Sequence, residues 1–145
     1  MTPKDWTLLV IAEAGEQPVQ PVQLQKALFL ISRNLRRRDL TTSGFYAFTP
    51  YDYGPFCSTI YSDAEELETE GLVFISRPPE SRYRTYRATE AGLQRASGLK
   101  SELSAQATTY LTRVVEFVQK HSFNELVSAI YKAYPDMKAN SVFQE

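Results

Sequence analysis

Three features of the 145 residues point to an α+β fold, mainly α, built as a winged helix-turn-helix with an extra short strand and a C-terminal helical extension. Apolar residues recur at helical spacing through the first third and again after residue 100. An aromatic run, Phe45-Tyr46-Ala47-Phe48-Thr49, is short and bounded by Gly44 and Pro50, which favours a strand. Two strand-like runs, Leu72 to Arg77 and Arg82 to Ala88, flank the turn cluster Pro78-Pro79-Glu80-Ser81, the outline of a β-wing. The apolar fraction of 43% supports one core, so a winged-helix part over 1–98 and an extension over 99–145 are expected to share it as one domain.

Each element has its own signals. Thr2 before Pro3 reads as an N-cap and first helical position, and Asp5 offsets the positive end of the dipole. The first helix should run from Pro3 to Ala14 and stop at Gly15. Trp6, Leu8, Leu9, Val10, Ile11 and Ala12 cover nearly its whole circumference, as in a central core helix. Pro21 starts a second helix with Leu24, Ala27, Leu28, Ile31 and Leu35 on one stripe. It should end within Arg36-Arg37-Arg38, where cations suit the negative end of the dipole. Phe29 and Leu30 lie off the stripe and need a second covering layer; Lys26, also off it, is expected in solvent.

A helix from Pro55 to Gly71 should turn Ile60, Tyr61, Ala64 and Leu67 inward, with Gly71 as C-cap. In the wing, Tyr86 and Ala88 share a face, and Tyr86 is the core candidate. Thr89 caps a further helix, which Ser97-Gly98 should break before a longer one from about Ser101 to Lys120. Ser122 and Glu125 make a capping box ahead of the stripe Phe123, Leu126, Val127, Ile130, Tyr131 and Tyr134, which Pro135 ends. These apolar residues exceed what a small wing core needs. The C-terminal helices are therefore expected to cover helix one and to offer a homodimer surface.

The net charge of -1 and pI near 5.9 give no overall pull toward a polyanion, so any nucleic-acid contact needs a local patch. Cys57 and His121 are the single cysteine and histidine, which leaves no internal disulfide and too few ligands for a structural zinc site. No metal and no cofactor are expected, and a reducing cytoplasm is the expected home. The first apolar run, Leu8 to Ala12, is too short for a membrane span or a secretory signal, so no membrane association is expected. Cys57 and His121 would form a nucleophile pair only if the fold brought them together, and Ser, Asp and Glu show no nucleophile-elbow, metal-carboxylate or phosphate-loop spacing. A non-catalytic binding protein is expected.

The run Pro50-Tyr51-Asp52-Tyr53-Gly54-Pro55-Phe56 combines two prolines that fix φ with a glycine that permits a tight turn. Rigid aromatics lose little entropy on binding, which makes Tyr51, Tyr53, Gly54, Pro55 and Phe56 the candidate protein-binding residues. The other reading is a structural corner whose aromatics pack under the next helix.

The wing closes on Tyr86-Arg87-Ala88-Thr89-Glu90-Ala91-Gly92, similar to the Y-R-x-T-x-x-G endings of many winged-helix regulators. Three further runs are more specific: Pro21-Val22-Gln23-Leu24-Gln25-Lys26-Ala27-Leu28-Phe29-Leu30, Phe48-Thr49-Pro50-Tyr51-Asp52-Tyr53-Gly54-Pro55-Phe56, and Tyr134-Pro135-Asp136-Met137-Lys138-Ala139-Asn140-Ser141-Val142. In that order they resemble the YwgA-like family of small bacterial proteins, a relative of the Panacea or SocA-like antitoxin domain, over most of the chain. What the Panacea relatives imply is a winged-helix-like domain that recognises a protein, typically a toxin, and in the SocA case serves as an adaptor for proteolysis. A toxin-like protein or a neighbouring gene product is then the expected partner. The third run reads as a docked tail or a partner site, with Asn140 and Ser141 capping local backbone.

Double-stranded DNA is the alternative partner, in a transcription regulator. The helix over 55–70 would enter the major groove with Ser58, Thr59 and Ser62 toward the bases, while Arg77, Arg82 and Arg84 of the wing over 72–88 touch phosphate or the minor groove. Two features oppose it. Asp63, Glu65, Glu66 and Glu70 follow on the outward face and repel phosphate unless arginines compensate them, Arg33 and Arg36 to Arg38 included if these lie on the same side. The span from Arg38 to Pro55 also far exceeds the helix-turn-helix connection of roughly three to four residues.

Overall fold

The computed structural model describes residues 1–80 and 83–143. Its first helix, α1 (Pro3–Glu13), opens on the expected capping box: the Thr2 hydroxyl accepts from the Asp5 N–H, and the Asp5 carboxylate accepts from the Thr2 N–H at 2.9 Å. Gly15 follows at φ 65° and turns the chain away. Trp6 and Leu8 to Ile11 are sealed from solvent, because helices close over α1 from several sides. The polar edge of Trp6 is satisfied by its indole N–H donating to Leu40 O at 2.8 Å.

The second helix, α2 (Pro21–Asn34), ends earlier than expected. Leu35 takes an extended backbone and buries its side chain, so the chain leaves the helix before the arginines. Arg36 to Arg38 instead open a short separate helix, α3 (Arg37–Leu40), and only Arg33 lies in the last turn of α2. The predicted dipole compensation by the arginine cluster is therefore corrected.

The strand expected over Phe45 to Thr49 is displaced. Residues 45–48 have no ladder partner, and the pairing falls further on, between β1 (Thr49–Tyr51) and β2 (Gly54–Phe56). Pro55 is thus in a strand and not at a helix start; α4 (Thr59–Thr69) begins after it, burying Ile60, Ala64 and Leu67 and ending ahead of Gly71 at φ 79°. The predicted wing strands are present as β3 (Val73–Ser76) and β4 (Thr85–Ala88), antiparallel with Ile75 opposite Tyr86. Tyr86 is buried as expected, and its backbone N–H and C=O both bond to Val19, which pins the hairpin to the α1–α2 connection.

Thr89 caps α5 (Glu90–Lys100), accepting from the Gly92 N–H at 3.0 Å. The helix runs through Ser97-Gly98 without a break, because Ala96 and Leu99 are buried on either side of that pair. The boundary expected at residue 98 therefore falls inside a helix. α6 (Ala105–Lys120) packs on α1 and α2, with the Tyr110 hydroxyl donating to Leu30 O, while Phe29 is covered by Phe48 and Tyr134. α7 (Phe123–Ala133) carries the Ser122–Glu125 capping box and leads into a 3-10 turn, Pro135–Lys138. Most of the stripe of α7 is spent inside the chain: Leu126, Val127, Ile130 and Tyr131 are buried and α7 packs on β2 and the 3-10 turn, while Phe123 at its start stays exposed. The fold is thus mainly helical, α+β, with two small antiparallel hairpins, and no helix among the described residues is long and apolar enough to cross a membrane.

Candidate functional site

The β1–β2 hairpin is built from the stiff aromatic run. Its register sets Thr49 against Phe56, Pro50 against Pro55 and Tyr51 against Gly54, so the two residues without an N–H face each other and disturb a single rung. Asp52 and Tyr53 make the turn, and the positive φ it needs, 106°, falls on Gly54. Gly54 is also close to its support: a Cβ there would meet Tyr131 Cε1 at 3.4 Å and Lys26 Nζ at 3.5 Å.

Backbone carbonyls of the hairpin are held by three donors from two distant segments, α2 and the C-terminal tail. Lys26 Nζ donates to Pro55 O at 3.2 Å, Asn140 Nδ2 to Pro50 O at 3.2 Å, and the Val142 N–H to Asp52 O at 2.9 Å. Just beyond β2, the Gln25 amide grips Cys57 at both backbone groups, each at 2.9 Å. Two expectations are corrected here. Lys26 is not a solvated lysine but is 4% exposed, because the hairpin covers the flank of α2 on which it lies. Burial alone pushes its ammonium pKa down to about 8. Asn140 is likewise not a local cap but ties the tail to β1, whereas Ser141 does cap locally, accepting from the Phe143 N–H at 3.0 Å. All three runs that carry the family resemblance meet at this hairpin.

With the polar struts on the inside, the aromatic rings are left outside. Tyr51 is 53% exposed and stacks on half-buried Phe56 at 4.9 Å between centroids; Tyr53 is 44% exposed and meets Phe123 edge-on at 5.1 Å. Phe56 also touches Tyr61 of α4 at 5.8 Å, so it is the member of the set that packs as a corner residue. Gly54 and Pro55 are buried and serve as scaffold beneath the rings. A shallow concavity of about 320 Å³ runs beside the tyrosines, with Val22, Gln25 and Lys26 at its base.

The residues expected to read DNA are arranged differently. Ser58, Thr59 and Ser62 are exposed at the start of α4. Arg77 and Arg84 are committed to the acidic side of that same helix: Arg77 forms a two-pronged pair with Glu68, 3.0 Å at each nitrogen, and Arg84 pairs with Glu65 at 3.1 Å. The Arg77 guanidinium holds the Glu68 carboxyl below the usual carboxylate range. Lys4 pairs with Glu66 and Glu70, and Asp63, expected outward, accepts from the buried Tyr46 hydroxyl. Arg82 lies outside the described residues. Cys57 is buried, and His121 lies with Nδ1 2.8 Å from Phe117 O and its ring tilted on Phe117.

Gln25 and Lys26 are the supporting residues that sequence reasoning missed. The available signal was two polar residues side by side just ahead of the apolar run Ala27 to Ile31 of the same helix. No family model matches this chain, and no curated protein matches it either.

Proposed function

We propose that this chain is a non-catalytic winged-helix module that recognises another protein, in an antitoxin-like or adaptor role, through the face made by the β1–β2 hairpin, the start of α7 and the tail. One observation carries the reading. Of the seven large apolar side chains exposed among the described residues, Tyr51, Tyr53, Phe123 and Val142 converge on this one hairpin. Exposed aromatics on an immobilised backbone are what a binding anchor requires, since little side-chain or loop entropy is lost on contact. The resemblance to YwgA-like and Panacea proteins supports the same reading, as does the antiparallel β3–β4 hairpin that follows α4 in the position of a wing.

A duplex-binding regulator has the exposed hydroxyls of Ser58, Thr59 and Ser62 in its favour. Its phosphate contacts would first have to break the pairs of Arg77 and Arg84 with α4, and the freed carboxylates would then face the phosphates.

The product of a neighbouring gene is the partner to titrate. Tyr51→Ala and Tyr53→Ala should each weaken its binding by about tenfold or more while leaving the thermal unfolding midpoint nearly unchanged, because both rings are half in solvent. Arg77→Ala and Arg84→Ala should leave it within about twofold. Loss of binding in the arginine variants alone, with the tyrosine variants fully active, sinks the proposal.

A further inference from the structure

A second concavity lies at the opposite end of α2 from the hairpin. It is a cleft of about 330 Å³ between the last turns of α2, α3 and residues 42–48, within the size range of small-molecule pockets. Phe45 and Phe48, both half-buried, and fully buried Phe29 give it aromatic walls, while Arg33 and Arg37 bring cations to it.

Three observations mark this cleft as more than a packing defect. The Thr42 hydroxyl oxygen, one of the lining groups, is buried and has no hydrogen-bond partner among the described residues. Buried hydroxyls are almost always satisfied, so a group left open here has a partner still to come. Its neighbour Thr41 sits at φ 54°, ψ 27°, and is the one non-glycine residue at positive φ among the described residues. For a β-branched residue that is a strained conformation, of the kind kept at ligand clamps. Charge is the third. Of the two arginines that line the cleft, Arg33 pairs with Asp136, whereas Arg37 has no carboxylate partner among the described residues.

Of the acidic groups near the cleft, Asp136 binds Arg33 Nη2 at 2.9 Å, and buried Asp39 accepts from Ser104 at 3.0 Å through Oδ1, while its Oδ2 has no hydrogen-bond partner among the described residues. The Arg33 guanidinium lies 4.9 Å from the Phe29 ring centre and keeps its other nitrogen free of Asp136.

We propose that this cleft binds a mononucleotide: its base packs on Phe45 and Phe48 beside Thr42, and its phosphate meets Arg37. Aromatic walls alone would suit any flat apolar ring, and arginines alone any anion. The combination within one cleft selects a ring that carries a phosphate. The site is separate from the protein-binding face and does not depend on that reading.

Calorimetric titration of the full chain at low salt, with AMP, GMP, CMP and UMP in turn, tests this. Adenosine, inorganic phosphate and O-phosphotyrosine serve as partial or rival probes. At least one mononucleotide should bind at one site per chain, with the nucleoside, phosphate and phosphotyrosine each at least about tenfold weaker. Arg37→Gln, an exposed position that should leave the melting curve unchanged, should weaken the nucleotide about tenfold, and Phe45→Leu should weaken it as well. Arg113→Gln on α6 and Tyr53→Ala on the hairpin should leave it unchanged, which separates this site from the protein-binding face. The proposal is overturned if no mononucleotide binds at millimolar concentration. It is equally overturned if inorganic phosphate or phosphotyrosine binds as tightly as every nucleotide, or if Arg37→Gln has no effect.

Discussion

Gly92→Ala is expected to lower the unfolding free energy by about 3 kcal/mol, a large effect for one methyl group. The reason is not conformational freedom, since Gly92 lies inside α5 and is not among the glycines at positive φ. It is space. A Cβ at this position would lie 1.9 Å from Leu72 O and 2.9 Å from Leu72 C, and neither is the movable end of a side chain. The same carbonyl accepts the Thr89 N–H at 3.0 Å, and the Thr89 hydroxyl donates to Gly71 O at 2.7 Å, so the start of α5 is clamped to the residues that enter β3. Admitting the methyl means backing the helix off that clamp and loosening Ala96 and Leu99, both buried on the same helix. Gly98 provides the control within α5. A Cβ there meets nothing within 4 Å, so Gly98→Ala should raise stability by about 0.5–1 kcal/mol through helix propensity. Urea unfolding of the two variants should shift in opposite directions; equal shifts would refute the clamp.

The second large effect concerns Lys26 and pH. The folded chain gives up the Lys26 proton near pH 8, while the unfolded chain holds it to its usual value near 10.5. Between these values the unfolded state binds more protons, so this lysine makes stability rise with pH. Below about pH 8 both states carry the proton and the cost of burying the charge is at full size, about 3 kcal/mol. Lys26→Met keeps an apolar stem of similar length and removes that cost, against about 1 kcal/mol for the lost bond to Pro55 O. The variant should therefore be more stable than the parent by about 2 kcal/mol at neutral pH, with the gap closing toward pH 10. Above that the raised phenol pKa values of Tyr46, Tyr61, Tyr86 and Tyr110 act in the opposite direction in both proteins, because the folded state then holds more protons. Parallel pH profiles for parent and variant would mean that Lys26 titrates as an exposed lysine.

What could be read from the residues alone was the local physics. Thr2, Thr89 and Ser122 cap their helices as expected because a cap involves only the next three positions. Tyr86 was assignable to the core because alternation in a strand is a two-residue rule. The failures are tertiary. Tyr51-Asp52-Tyr53-Gly54 lacks the Asn-Gly or Asp-Gly signature of a tight hairpin, and its flanking prolines read as breakers, so a ladder that depends on support from Lys26, Asn140 and Val142 looked like a loop. Ser97-Gly98 looked like a helix break because propensity is weak beside the burial of Ala96 and Leu99. Arg77 and Arg84 were visible, but their partners Glu68 and Glu65 are contributed by another element, and that pairing changes what the β3–β4 hairpin can offer to a polyanion.

Amide hydrogen exchange of the chain, free and bound to the neighbouring gene product, tests the protein-recognition face most directly. Binding should slow exchange at residues 49–56, around Phe123 and near Val142, and leave α4 and the β3–β4 hairpin at their free rates. Protection confined to residues 58–62 and 73–88, with the aromatic hairpin exchanging as in the free chain, would contradict it.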